Sequence, residues 1–263
     1  MEEYNDMNTE NTGRVVIMNF TNVYKWERFS HDRNYTWLDC THLEGTECYC
    51  DKDSAKALKR LIADYPAKAI HFIDSGNYHY LTKFWTDKLQ QPFSLVVFDH
   101  HPDMQPPLFE GVISCGGWVK DVMDTNPYVR KVILTGVSEK LKEAIPETYR
   151  DRVVFYGEHE LSHEEAWKRF SSQHVEGPVY LSIDKDVLDA HSAATNWDQG
   201  LLSLPELEQL LSVVLHHEQV IGIDICGECS TTLDIFKENQ EVALDSRANQ
   251  ELLDFFRRNR PQE

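Results

Sequence analysis

The stretch Asp99-His100-His101-Pro102-Asp103 sets three metal-ligating side-chain types at alternate positions. Alternate positions of an extended segment face one side, so Asp99, His101 and Asp103 can reach a common centre. A second cluster, Asp184-Lys185-Asp186, repeats the spacing with carboxylates, and Asp189 follows, placed to anchor the loop or join the cluster. Carboxylates packed this closely repel, and without counter-charge some must stay protonated. Two divalent cations would neutralise all four. A polar turn capping a helix would account for either segment alone, but it needs no histidine at that spacing. Together the clusters predict a two-metal site.

The elements that must position these residues are legible on either side. Both clusters follow apolar runs that read as buried strands, 94–98 and 179–183. Further strand-like runs lie at 14–20, 68–73, 131–135, 152–156 and 220–225. Helical patterns at 54–65, 161–171, 204–216 and 241–258 alternate with them. Pro66 stops the first, while Ser203 as cap and Pro205 near the first position open the third. The alternation predicts an α/β fold of three layers, α/β/α, around a mainly parallel sheet. Carboxylates at the carboxyl ends of neighbouring parallel strands converge where open sheets place ligands. Residues 13–263 read as a single domain and 1–12, acidic and polar, as a disordered tail. The aromatic, cysteine-rich region 21–53 breaks the alternation and reads as an irregular insert near the site mouth.

Composition narrows the partners. A formal net charge of −18 argues against nucleic acid and anionic membranes and leaves a small-molecule substrate. With no apolar run of transmembrane length and no signal-peptide core, a cytoplasmic location is expected. The six cysteines then read as reduced, buried thiols. Cys48-Tyr49-Cys50 is short for a zinc knuckle and far in sequence from Cys226-Gly227-Glu228-Cys229.

The aspartate clusters also carry a family resemblance. Asp99-His100-His101-Pro102-Asp103 resembles the D-x-H-x-D motif of the arginase family of ureohydrolases, which includes agmatinase and formiminoglutamase. Ser182-Ile183-Asp184-Lys185-Asp186-Val187-Leu188-Asp189 resembles that family's S-x-D-x-D-x-x-D motif, in the same order. Thr195-Asn196-Trp197-Asp198-Gln199-Gly200-Leu201 resembles the loop that follows it. Gly76-Asn77-Tyr78-His79-Tyr80 sits where the family has glycine-glycine-aspartate-histidine-serine. Gly222-Ile223-Asp224-Ile225, with Glu228 nearby, resembles the late strand that delivers a substrate-binding glutamate.

The resemblance implies an arginase- and deacetylase-like fold and a binuclear hydrolase. Asp99 and Asp184 would bridge two metals, with His79 and Asp103 completing one shell and His101 and Asp186 the other. Six mixed oxygen and nitrogen ligands suit manganese, with nickel, cobalt, iron and zinc as alternatives. A hydroxide bridging the metals would attack a guanidino, amidino or formimino carbon and release an amine from a linear C–N bond. Glu228 would hold the substrate, and a homo-oligomer would be the assembly. Three positions depart from the pattern: Tyr78 replaces an aspartate, Cys115 in Ser114-Cys115-Gly116-Gly117 replaces a proton-shuttling histidine, and Glu228 lies one residue late, with Gly227 in its place. These departures motivate a second reading, a metal-binding protein of the same fold without turnover. A two-metal phosphoesterase is a third, but its early aspartate motif would have to be Asp74 alone.

Overall fold

Side chains along a strand alternate between faces, and here both faces are apolar, so both must be covered. Val15 and Ile17 join one core with Val96, Phe98, Leu181 and Ile183. Val16 and Met18 join a second with Leu95, Val97 and Tyr180.

The computed structural model describes residues 14–259 apart from 108, 174, 176 and 231–234. The expected tail, 1–12, lies outside the described residues. The chain runs β1 (Val15–Asn19), β2 (Thr36–Asp39), β3 (Tyr49–Cys50), α1 (Lys52–Leu61), β4 (Ile70–Phe72), α2 (Leu81–Thr86), β5 (Phe93–Phe98), β6 (Ile113–Ser114), α3 (Trp118–Thr125), β7 (Val129–Val137), β8 (Val153–Gly157), α4 (Glu164–Ser171), β9 (Val179–Asp184), α5 (Leu204–His217), β10 (Val220–Cys226) and α6 (Ile235–Arg258). Eight strands form one sheet in the order β2-β1-β4-β10-β9-β5-β7-β8, with every pairing parallel. β3 and β6 make a separate antiparallel ribbon. Helices α4, α5 and α6 cover one face through Phe170, Leu207, Leu211 and Leu252. Helices α1, α2 and α3 cover the other through Leu58, Phe84, Trp85 and Val122. This is the expected three-layer α/β/α architecture. Among the described residues, no helix is long and apolar enough to cross a membrane.

All seven predicted strands are present. The region 21–53 corrects the expectation of an irregular insert: it contributes β2, paired in parallel with β1 at the sheet edge, and β3 of the ribbon. Its edge position leaves Trp37 and Asp39 exposed, which hides the strand pattern. The start of α5 is as read. Ser203 and Glu206 form a reciprocal capping box, with Pro205 in the first turn.

The strand ends are tied down from below by buried charge. Lys185, between Asp184 and Asp186, points away from them. Its Nζ lies 2.8 Å from Glu228 Oε2, an ion pair by distance but off the line a hydrogen bond needs, and 3.6 Å from Asp245. Asn249 on α6 donates to Glu228 and to Glu27, both fully buried. Asp245 accepts the backbone N–H groups of Ala194 and Cys229. One lysine thus lies against two buried carboxylates and, through Asn249, is linked to a third, and removing one partner of such a group costs about 3–5 kcal/mol. Lys185→Met is expected to destabilise the protein by about that amount, read as a lowered urea midpoint; an unchanged midpoint would show that the carboxylates are satisfied without it.

Candidate metal centre

Two neighbouring parallel strands and one turn deliver the donors. Asp99 directly follows β5, Asp184 ends β9, and a single 3-10 turn after β4, Gly76–Tyr78, ends on His79. Register sets Phe98 beside Ile183 and Cys226 beside Asp184. β9 and β10 enter the sheet between β4 and β5, so the donors meet where the strand order reverses.

His79 Nδ1 lies 3.1 Å from Asp99 Oδ2, 3.1 Å from Asp103 Oδ2 and 3.5 Å from Asp184 Oδ2. His101 Nδ1 lies 2.8 Å from Asp186 Oδ2 and 3.5 Å from Asp99 Oδ1. The fold therefore brings together all six residues expected to hold metal, and Asp99 turns one oxygen toward each histidine. Donors about 2.1 Å from a shared cation stand roughly 3.0–3.4 Å apart at octahedral to tetrahedral angles. Two of the His79 spacings lie in that interval and the third, 3.5 Å to Asp184, just above it, while the 2.8 Å between His101 and Asp186 is shorter, as in a direct hydrogen bond. His79 Nδ1 and Asp99 Oδ2 are buried without a hydrogen-bond partner, although they face each other. Buried polar atoms are rarely left so. The donor set fits a pair of cations.

The supports of these donors are in place. His79 Nε2 meets Ser182 Oγ at 2.8 Å, and Ser182 Oγ meets Thr82 at 3.2 Å, which orients the imidazole. Trp118 Nε1 donates to Asp103 Oδ2 at 2.6 Å, and Asp103 itself takes a left-handed backbone, φ 49°. Such strain in a non-glycine residue persists only where its surroundings enforce it. Asp186 Oδ1 accepts the His100 amide, and Asp184 Oδ1 accepts the Asp186 amide.

The electrostatics show the cost of the cluster. Burial, then the charges of Asp186 and Asp99, push Asp184 up to about 7. Burial, then Asp99, pushes Asp186 up to about 6. Burial works against a charged imidazole, yet hydrogen bonds to Asp186 and Asp99 raise His101 to about 12. His79 is likewise held well above its usual value, against burial, by Cys226, Asp103 and Asp99. Asp184 and Asp186 thus take up protons more readily wherever no cation balances them.

A cavity of about 220 Å³ opens over the donors, walled by Trp197, Tyr49, Cys48, Cys115, Gln105 and Ser114. Trp197 Nε1 and Asn196 Nδ2 both donate to Asn77 Oδ1, which clamps the loop over the turn that carries His79. Gly76 is needed in that turn: an added Cβ would lie 2.7 Å from Trp197 and 2.9 Å from Asp184 Oδ2.

Other expected residues lie elsewhere. Glu228, expected to hold the substrate, is absent from the cavity wall because Lys185 and Asn249 engage its carboxylate below the site. Gly227 takes φ 90°, and an added Cβ would lie 2.4 Å from Asp184 Oδ1, so no larger residue fits there. Asp224 pairs with His71 at 2.7 Å and accepts from Tyr180, inside the core. Tyr78 stacks on Phe20. Asp74 is spent on the Phe20, Thr21 and Ser75 amides, which removes the phosphoesterase's required aspartate. Asp189 accepts the His191 and Ser192 amides and anchors its loop. Cys115 faces the cavity, and burial raises its thiol far above the usual range, so it keeps its proton. Cys226, read from sequence as an ordinary thiol, stands beside Asp184 with Sγ 3.2 Å from Oδ2. Only the pairing of β9 with β10 reveals that neighbour.

Comparison with known proteins places the chain in a family and matches its fold. A profile of the Arginase family matches residues 71–248, and the chain belongs to that family. An uncharacterised protein of Thermotoga maritima is 37% identical over 216 residues, covering 81% of this chain and 79% of that one. The proclavaminate amidino hydrolase of Streptomyces clavuligerus has a similar fold, with TM-score 0.66, 18% identity and coverage of 97% and 95%. A Trypanosoma cruzi formiminoglutamase variant, solved with manganese, also gives TM-score 0.66, at 12% identity and 97% coverage of each chain.

The raised acids and histidines predict a pH dependence of stability. Groups whose folded pKa exceeds the unfolded value stabilise the fold at low pH and lose that contribution as pH rises. Protein stripped of metal should therefore weaken by on the order of a few kcal/mol between pH 4 and 7, the span over which Asp184 and Asp186 titrate. Added divalent cation should offset the loss increasingly toward pH 7. Urea midpoints with and without chelator measure both; stability that rises with pH after stripping would contradict the cluster's electrostatics.

Proposed function

We propose that this chain is a binuclear-metal hydrolase that cleaves a linear C–N bond in a small guanidino, amidino or formimino compound. The observation that carries the reading is the convergence of two imidazoles and four carboxylates, with His79 Nδ1 and Asp99 Oδ2 buried and unpartnered, at a substrate-sized cavity that His101 and the four carboxylates line. His79 and Asp103 would hold one cation and His101 and Asp186 the other, with Asp99 and Asp184 within reach of both. Manganese suits such carboxylate and imidazole donors. When bound, two cations supply the Lewis acidity that makes a water nucleophilic at neutral pH.

The chain's own groups do the rest. Ser182 and Trp118 hold His79 and Asp103 in place. Trp197 and Tyr49 wall the cavity in which the substrate would sit. The Cys115 thiol faces the cavity; burial alone holds its pKa far above neutral pH, so it serves the departing amine as a proton donor only where bound cations bring that value down. We further propose cytoplasmic action and homo-oligomeric assembly. The withdrawal of Glu228 favours one alternative, a metal-binding protein of this fold without turnover, and the same experiment separates the two.

Protein prepared with excess manganese is expected to carry two cations per chain and to release urea, ammonia or formamide from some member of a guanidine, amidine and formimine panel. Asp184→Asn should lose at least one cation and nearly all activity, because a shared carboxylate has become a neutral, poorer ligand. Two cations without any turnover would leave the binding-protein reading; one cation or none would remove both.

Cys115→Ala separates a proton donor from a packing residue. A donor's loss should lower kcat by about 10²–10⁴-fold and shift the pH profile, with metal content unchanged. Full activity and an unaltered profile would assign proton transfer to water.

A further inference from the structure

The six-residue donor set leaves Cys226 unassigned at the centre, where its thiol donates to Asp184 Oδ2. Cys226 ends β10 and is paired in register with Asp184 at the end of β9. It is fully buried, and its Sγ lies 3.2 Å from Asp184 Oδ2. The candidate ligand atoms of His79, Asp184 and Cys226 all fall within 4.8 Å of one another. A second observation points into the same space: His79 Nδ1, on a side chain almost wholly buried, has no hydrogen-bond partner there. A sulfur about 2.3 Å and an oxygen about 2.1 Å from one cation stand roughly 3.1–3.6 Å apart at octahedral to tetrahedral angles. The observed separation lies inside that range.

We propose that Cys226 is a thiolate ligand to the cation held by His79, Asp103 and Asp184, and that it makes this position prefer a thiophilic divalent ion such as zinc, iron or cobalt. The inference rests on the binuclear reading and refines it. Imidazole and carboxylate alone, as at His101, Asp99 and Asp186, suit manganese, whereas a thiolate donor favours softer ions. The two positions thus differ in kind, and the natural pair is mixed. On ligation a metal–sulfur bond forms, the S–H proton leaves to solvent, and no electron is transferred.

Cobalt(II) titration of the stripped full-length protein tests this directly. Thiolate bound to cobalt gives a near-ultraviolet charge-transfer absorption that carboxylate and imidazole do not. The wild type is expected to develop that absorption with the first equivalent. Cys226→Ser and Cys226→Val should lose it, while Cys115→Ala and Cys48→Ala, altered at the cavity wall, should keep it. In zinc–manganese competition, loss of the thiolate should reduce the preference for zinc by roughly 10–100-fold. Zinc-edge X-ray absorption at one zinc per chain needs no variant and should show one sulfur at about 2.3 Å. Two cobalt ions bound without the absorption, an absorption that survives Cys226→Val, or a zinc shell without sulfur would each overturn the assignment while leaving the binuclear centre intact. Binding of fewer than two cations would instead remove the binuclear reading beneath it.

Discussion

Mutual repulsion of buried carboxylates is the constraint on which the rest of this structure depends. Asp99, Asp103, Asp184 and Asp186 are all nearly excluded from solvent and meet at the ends of parallel strands. Polypeptide alone offers two imidazoles against four acids, and the raised Asp184 and Asp186 record the shortfall. A protein that only needed stability would place apolar residues there. On the proposed reading two cations complete the cluster, and its fold and chemistry form one electrostatic arrangement.

That arrangement is carried outward in both directions from β9. Asp184 and Asp186 face the cavity, while Lys185 between them faces the opposite core and holds Glu228, Asp245 and, through Asn249, Glu27. A three-residue segment thus sets the metal floor above and a buried ion group below. The lower group fixes α6 and the loop after β10 against the sheet. The upper one is stiffened by Ser182, Trp118 and the strained Asp103 backbone. Neither half can shift without moving the other, because they share a backbone turn.

Legibility in the sequence follows the physics of each part. Strands apolar on both faces, such as 94–98 and 179–183, are readable because a short apolar run between polar loops has to be buried. The metal ligands from β5 and β9 are readable because they are local, spaced by two along the chain. Helix α2 is not, since it is six residues long and buried all round, leaving no amphipathic period. Strand β2 is hidden because its edge position exposes Trp37. Glu228 misleads because a carboxylate near a strand end looks the same whether it faces a cavity or a lysine beneath it. Cys226 is unreadable for a related reason: its significance lies in a register with Asp184 that the sequence does not state.

The placement of Glu228 separates the metal chemistry from substrate recognition. Gly227 occupies the position nearest Asp184, and its φ of 90° and the 2.4 Å approach to Asp184 Oδ1 leave room for no side chain. The carboxylate one residue later is already neutralised by Lys185. Beyond the metal ligands, the described cavity wall is uncharged, formed by Trp197, Tyr49, Leu141, Gln105, Ser114 and the two thiols Cys48 and Cys115. Desolvating a cationic head group against such a wall costs several kcal/mol with no fixed counter-charge to offset it. Orientation of the substrate must therefore come from shape, aromatic contact and neutral hydrogen bonds, with the metal ligands themselves as the nearest negative charge. On the proposed reading, the six candidate donors are retained while the wall around them is built for a substrate held without a fixed counter-charge.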